Sequence, residues 1–337
     1  MRLYPFLVSF VAAIGGFLFG YDLVIISGAQ IYLKEQFALS DAAFGFATTS
    51  AILGCIVGPF CGVWFCDKIG RKNTMLLSCL LFGISALATG LAKDMTTFNL
   101  FRFVGGLGVG LCSMASPLYI AEVAPSRMRG GLGIMYQLAI SMGALTSSFI
   151  AFYLAKNLPE TLSWRWMFIS EIAAIFVFLG FLLLVPKSPR WLAEKGRFDE
   201  AFAILSKVEN RAYAETEMKG IKEQLGQEKG SFSEIFEPGI RMALIIGICL
   251  AVFNNITGWS AMAYYLPTLF KKGGFPDTVD AIYQFTLVNG WMVLLTFVSI
   301  FFVDRLGRRP LWILGSASMI VFLTLTGLVF QLKVFQP

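Results

Sequence analysis

The sequence predicts an all-α protein that crosses a membrane many times, on three observations. It is 57% hydrophobic and 14% charged, where a soluble domain is about half apolar and a quarter charged. Too few charges remain to cover a water-facing surface. The apolar residues come in blocks of about 20, the length at which a helix crosses about 30 Å of hydrocarbon, whereas a transmembrane β-barrel alternates in short segments. One charged turn is written twice, as Asp67-Lys68-Ile69-Gly70-Arg71-Lys72 and as Asp304-Arg305-Leu306-Gly307-Arg308-Arg309. The repeat implies two related halves, as in many secondary transporters, whose substrate lies between repeats that rock against each other.

Nine spans are expected in order. The first, 5–30, is too long for a secretory signal, lacks a small-residue cleavage site and carries Tyr21-Asp22 inside its apolar run. Spans 43–65 and 73–92 flank the first charged turn. Span 98–122 opens near Arg102 and closes at Glu122, and 131–155 and 166–185 complete six. A polar segment, 186–239, rich in Glu and Lys, comes next. Its stretch from Arg197 to Leu205 spaces apolar residues as a helix does, and a flexible linker would carry more Gly and Ser. It reads as short cytoplasmic helices. Spans 240–270, 280–303 and 311–332 follow, the last two flanking the second charged turn. The organisation is therefore a six-helix bundle over 1–185, linker helices over 186–239 and an incomplete three-helix bundle over 240–337. By the arithmetic of the repeat, three more spans belong beyond Pro337, so a fragment or truncated product is expected.

Lysine and arginine set the orientation. With the amino terminus inside, the inner segments hold most of the 27 basic residues, including Lys68, Arg71, Lys72, Arg127, Arg129, Arg305, Arg308 and Arg309. The net charge of +6 thus reports topology and implies no nucleic-acid partner. Six cysteines at 55, 61, 66, 79, 112 and 249 show no zinc or redox spacing. No histidine is present, which removes the commonest metal ligand and general base. No metal, cofactor or enzymatic constellation is expected.

Asp22 and Arg102 are charges set into two apolar spans. Such residues face a polar cavity or pair with one another. A carboxylate that holds arginine when ionised and releases it when protonated couples proton binding to a conformational change. A static ion pair fixing two helices is the alternative, as is an Asp22 near the outer water. Gly105, Gly106, Gly108 and Gly110 lie in an apolar span with no preceding strand, so close helix packing explains them and a nucleotide loop does not. Glu122, Arg127, Arg129 and Arg71 gather opposite charges at one end of neighbouring helices. They are a gate, closed while the cavity faces outward, or ordinary interfacial anchors. Gln137, Asn254, Asn255 and Ser260 offer the paired donors and acceptors that a polyhydroxylated ligand needs, or bond a neighbouring helix. Trp259, Tyr264 and Tyr265 offer rings to a sugar's apolar face, and Phe19 joins the candidate binding residues.

Taken together, these residues resemble the sugar porter family of the major facilitator superfamily over essentially the whole chain. The resemblance is carried by Gly15 to Asp22 with Ser27-Gly28-Ala29, by Asp67 to Lys72, and by Arg102 to Gly110 running on to Pro117–Pro125 and Arg129-Gly130. Pro186-Lys187-Ser188-Pro189-Arg190-Trp191-Leu192 and Asp304 to Pro310 complete it. It implies the major facilitator fold, twelve helices in two bundles of which nine are present here, with alternating access to a central site. Asp22 matches the proton-binding aspartate of proton-coupled members and Arg102 its partner; facilitative members generally have asparagine there. Gln137 matches a sugar-binding glutamine, and the family's Gln-Gln-x-x-Gly-x-Asn falls on Asn254 to Ser260. The cytoplasmic gate falls on Asp67, Gly70, Arg71, Glu122, Arg129, Arg190, Asp304 and Arg308.

The chain departs from the pattern at Asn254, Asn255 and Ser260, at Ala144 where a glutamine is usual, and at Met292 where an asparagine is usual, with Asn289 one turn earlier. Lys187 stands where the family has glutamate. The expectation is a secondary active transporter of a sugar or sugar-like solute, working by proton symport in a multi-pass membrane setting. Its partners are a small polar solute, the proton and membrane lipid. The alternatives are a carrier of the same fold for an organic acid or ion, and a non-transporting sensor or relic.

Overall fold

A computed structural model describes residues 3–125, 129–226, 238–275 and 277–332. They are helical almost throughout, and among them eight helices are long and apolar enough to cross a membrane. These are α1 (Leu3–Gln36), α2 (Asp41–Ile69), α3 (Arg71–Gly90), α4 (Met95–Val123), α5 (Arg129–Asn157), α6 (Glu160–Leu184), α12 (Thr278–Leu306) and α13 (Arg308–Gln331). Three short helices follow α6: α7 (Pro189–Glu194), α8 (Phe198–Val208) and α9 (Arg211–Gly226).

The helices outrun the apolar blocks, because capping ends a helix and polarity does not. Ser40 caps α2 through Ala43 N–H, Asp94 caps α4 through Thr97 N–H, and Ser188 caps α7 through Trp191 N–H. One consequence is that Arg102 lies about 10 Å along α4 from its start, well inside the span.

The seventh span differs from expectation. Residues 240–270 do not form one helix but two, α10 (Pro238–Ile256) and α11 (Trp259–Lys272). The break falls at Gly258, whose φ of +83° is left-handed. Glycine enters that region without the steric penalty other residues meet, and α11 restarts as Met262 N–H reaches the Gly258 carbonyl.

The first six spans pack by backbone approach. A Cβ on Gly54 or Gly106 would run into the facing backbone of α4 or α2, and one on Gly20 or Gly143 into that of α5 or α1. Small residues let helices without a hydrophobic driving force gain van der Waals contact, as expected for Gly105 to Gly110. Two clusters fill this bundle: one around Phe82, Tyr119 and Phe178, the other around Tyr32, Phe98 and Trp164. The linker helices α7, α8 and α9 share a small core of their own around Trp191, Leu192 and Leu205.

α11 and α12 dock on α1 and α5. Their contacts gather toward the end where α1 finishes. Ser27 donates to the Ala263 carbonyl at 3.0 Å, Lys271 reaches Glu35 at 3.4 Å, and Phe44 meets Tyr265 edge to face. Thr286 donates to the Ser148 carbonyl at 3.0 Å, and Ser141 and Thr296 hydroxyls meet at 3.3 Å near mid-helix. Beyond that point Phe297, Val298, Phe301, Phe302 and Leu306 are all exposed. The two groups of spans converge at one end and part at the end carrying the charged turns.

Candidate functional site

Where the two groups part, a cavity of about 400 Å³ lies between α1, α5, α11 and α12. Gln137, Ser141, Tyr264, Asn289 and Thr296 supply its polar wall, and Met262, Leu266, Phe285 and Met292 much of its apolar wall. The Gln137 amide makes no hydrogen bond among the described residues and is open to a ligand. Asn289 is buried and donates to the Phe285 carbonyl at 3.0 Å, which leaves its amide oxygen and second N–H. Ala144 and Met292, where the family has amides, are both in the cavity wall.

Beside the cavity the expected charge pair is formed. Arg102 donates through Nη1 to Asp22 Oδ1 at 2.5 Å, with both side chains buried. Its Nη2 reaches the Asp22 carbonyl at 3.4 Å, and its guanidinium lies over the Phe168 ring at 5.4 Å. Sequence reasoning missed a further buried acid, Glu171 of α6, which is 1% exposed. Tyr21 and Ser170, the residues just before Asp22 and Glu171, are hydrogen-bonded at 2.7 Å and hold α1 against α6. Among the described residues Asp22 Oδ2, Arg102 Nε and Glu171 Oε1 have no hydrogen-bond partner. A second buried carboxylate therefore accompanies the ion pair in a low-dielectric site, and each spare acceptor is costly unless a proton satisfies it. The signal was present: Glu171 is the one acid within the apolar run from Trp166 to Leu184.

Two binding residues expected from sequence are elsewhere. Phe19 packs against the first core cluster and not into the cavity, because its face of α1 turns inward to the bundle. Asn255 sits on α10, exposed, and its amide bonds back to the Ala251 carbonyl at 3.0 Å. The break at Gly258 leaves α11, not α10, to line the cavity. Tyr264 does line it, while the side chains of Asn254 and Ser260 lie outside the described residues.

At the parted end, a second charge network forms within the first half. Arg71 meets Glu122 at 2.7 Å, both 5% exposed, and Glu122 accepts a hydrogen bond from Ser188 Oγ at 2.5 Å. Arg71 also lies 3.7 Å from Asp67 and from Glu194, which in turn reaches Arg190 at 3.7 Å. Gly70, at φ +87°, sits where a Cβ would run into the Trp191 ring, and Trp191 Nε1 donates to the Asp67 carbonyl at 3.1 Å. Tyr119 donates to the Pro186 carbonyl at 2.7 Å. The network thus ties α2, α3 and α4 to α7. The side chains of Arg127, Arg129, Asp304 and Arg308 lie outside the described residues.

A helical protein with a part-polar cavity between two groups of spans, and a buried acid–arginine pair beside it, belongs among integral, multi-pass membrane carriers. The chain is a member of the sugar transporter family: the family described as sugar (and other) transporter matches residues 8–335. It is 37% identical to the arabinose-proton symporter of Bacillus subtilis over 97% of this chain and 71% of that protein. It is 34% identical to the D-xylose-proton symporter of Escherichia coli, over 97% and 72% respectively. The structure superimposes on the E. coli xylose transporter in a partially occluded inward-open conformation with a TM-score of 0.80, at 32% identity, covering 91% of this chain and 75% of that one. The fold is therefore the major facilitator fold, and the family is one of transporters.

Proposed function

We propose that this chain carries a sugar or sugar-like solute across the membrane together with a proton, by alternating access. The observation that carries the reading is the buried Asp22–Arg102 pair, with Glu171 behind it, beside a cavity lined by Gln137 and Tyr264. The most similar relatives named above are symporters of arabinose and xylose with the proton, which supports the same cargo class here. Protonating Asp22 removes the charge that holds Arg102, so the tie between α1 and α4 loosens. The loaded carrier then reorients at lower cost, because differential interaction with the two protonation states is what shifts such an equilibrium.

The topology fits an amino terminus and charged turns on the cytoplasmic side, with the cavity open inward. Residues 1–185 are read as one bundle, 186–239 as cytoplasmic linker helices and 240–337 as part of the second bundle. The Asp67–Gly70–Arg71–Glu122–Arg190 network is read as a gate element that makes the inner end of the first bundle move as one body. Gln137, Asn289 and Ser141 are read as the hydroxyl-binding side of the cavity. Ala144 and Met292 favour a solute with fewer hydroxyls than a hexose presents.

The test is uptake into energised membrane vesicles. Asp22→Asn is expected to abolish uphill accumulation driven by a pH gradient while counterflow exchange of the same sugar continues. Accumulation that survives this substitution would remove Asp22 from the coupling step.

A further inference from the structure

Among the described residues the carboxylates nearest the inner end of the first half are already engaged: Asp67, Glu122 and Glu194 all face Arg71, and Glu194 also Arg190. Two lysines on the same end are not neutralised in this way. Lys72, at the start of α3, donates through Nζ to the Leu183 and Val185 carbonyls at 3.0 and 2.7 Å. These are carbonyls that the end of α6 leaves without helical partners. Lys187 follows two residues later, with Nζ 5.5 Å from the centre of the Trp191 ring. Neither lysine forms an ion pair with a described carboxylate, and the Lys72 ammonium is held at the Val185 carbonyl, two residues before Lys187. Two cations on one short stretch of surface without an anion are unfavourable, and an anion between them removes the repulsion.

The surface that runs from this pair into the membrane is apolar. α3 and α6 pack side by side. Leu80, Ile84 and Leu87 are exposed along α3, and Leu183 and Leu184 at the end of α6 are 61% and 81% exposed. Leu80 lies about 12 Å along the helix axis from Lys72, a depth that acyl chains reach and headgroups do not. Cations at the interface above an apolar face match a phosphate above hydrocarbon.

We propose that Lys72 and Lys187 form the headgroup site of an anionic phospholipid whose acyl chains lie against the exposed leucines of α3 and α6. Lys72 is held in place by the two carbonyls and keeps its third N–H for the phosphate. Lys187 supplies the second positive charge. Because Lys187 precedes Ser188, which bonds Glu122, the bound lipid abuts the Arg71 network. The site is independent of the transported solute.

The test is native mass spectrometry of the full chain, purified in neutral detergent and offered equal amounts of dioleoylphosphatidylglycerol and dioleoylphosphatidylcholine. The wild-type chain is expected to retain the anionic lipid over the zwitterionic one. Lys187→Glu and Lys187→Gln should each cut that preference, by about five-fold for a lysine near the membrane surface. Lys72→Gln should act in the same direction. Lys219→Glu, on α9 within the linker, should leave it unchanged. Equal retention of the two lipids by the wild type would overturn the proposal, as would an unchanged preference in both Lys187 variants. An equal loss with Lys219→Glu would overturn it too, since general charge attraction would then suffice. Thermal midpoints of the variants, read in the same detergent, separate loss of the site from loss of the fold.

Discussion

Gly70 and Gly307 hold φ of +87° and +80°, so both copies of the charged turn reverse the chain through a corner open to glycine. Around Gly70 the corner is packed: a Cβ would press into the Trp191 ring, and Arg71 beside it is buried against Glu122. Around Gly307 a Cβ would meet open space, and Leu306 and Arg309 on either side are exposed. One local sequence has thus produced one local backbone in two tertiary settings. Turn geometry is written into six residues, whereas the work a turn does depends on what packs over it.

The comparison breaks most readily at the ion pair. Arg71→Ala leaves Glu122 buried without its partner, a loss of about 3–5 kcal/mol for such a site. Arg309→Ala, exposed in the second copy, should change stability by about 0.5 kcal/mol or less. Thermal unfolding of both variants in detergent checks the pair, and equal effects would mean that the packed setting contributes nothing. Next, Gly70→Ala should cost about 3 kcal/mol, combining backbone strain with overpacking against Trp191. Gly307→Ala should cost about 1–2 kcal/mol, from strain alone. A reversed order would place the second corner in a tighter setting than its open surroundings indicate.

Ser188→Ala sharpens the same contrast at lower amplitude. It removes both the α7 cap and the hydrogen bond to Glu122, and should cost about 1–2 kcal/mol. The smallest effect is expected at Asp94, outside the spans. Thr97 N–H and hydroxyl hold its carboxyl below the usual range. A lowered folded-state pKa contributes stability above the ordinary carboxylate value of about 3.9, and that stability is lost as pH falls through the folded value. Protection of the first-turn amides of α4, taken relative to the unstructured amide at the same pH, should therefore fall only in strong acid, and protection unchanged down to about pH 2 would count against the cap.

Much of the site was legible because its residues violate their surroundings. A charge in an apolar span announces itself, so Asp22 and Arg102 were found, and an acid and a base on two spans of one bundle suggested the pairing between them. Glu171 carried the same signal within α6 and was passed over. Phe19 and Asn255 were misplaced for a different reason. A helix apolar on every side gives no rotational reference, so which face of α1 meets the cavity is set by Gly20 against the α5 backbone and not by periodicity. The break at Gly258 was equally hidden, since a lone glycine in an apolar run is tolerated within a helix more often than it ends one.

Composition, span length and the repeated turn by themselves determined a helical membrane protein of two related halves with a charged pair within it. Those properties follow from backbone hydrogen bonding in hydrocarbon, which leaves a chain of this composition few solutions. Tertiary structure alone decided that Glu171 joins Asp22 and Arg102, that Asn289 and Thr296 face Gln137 across a cavity, and that one end is drawn together while the other is parted. These depend on the rotation and tilt of helices about one another, which side-chain packing fixes over distances that no local pattern in the chain encodes.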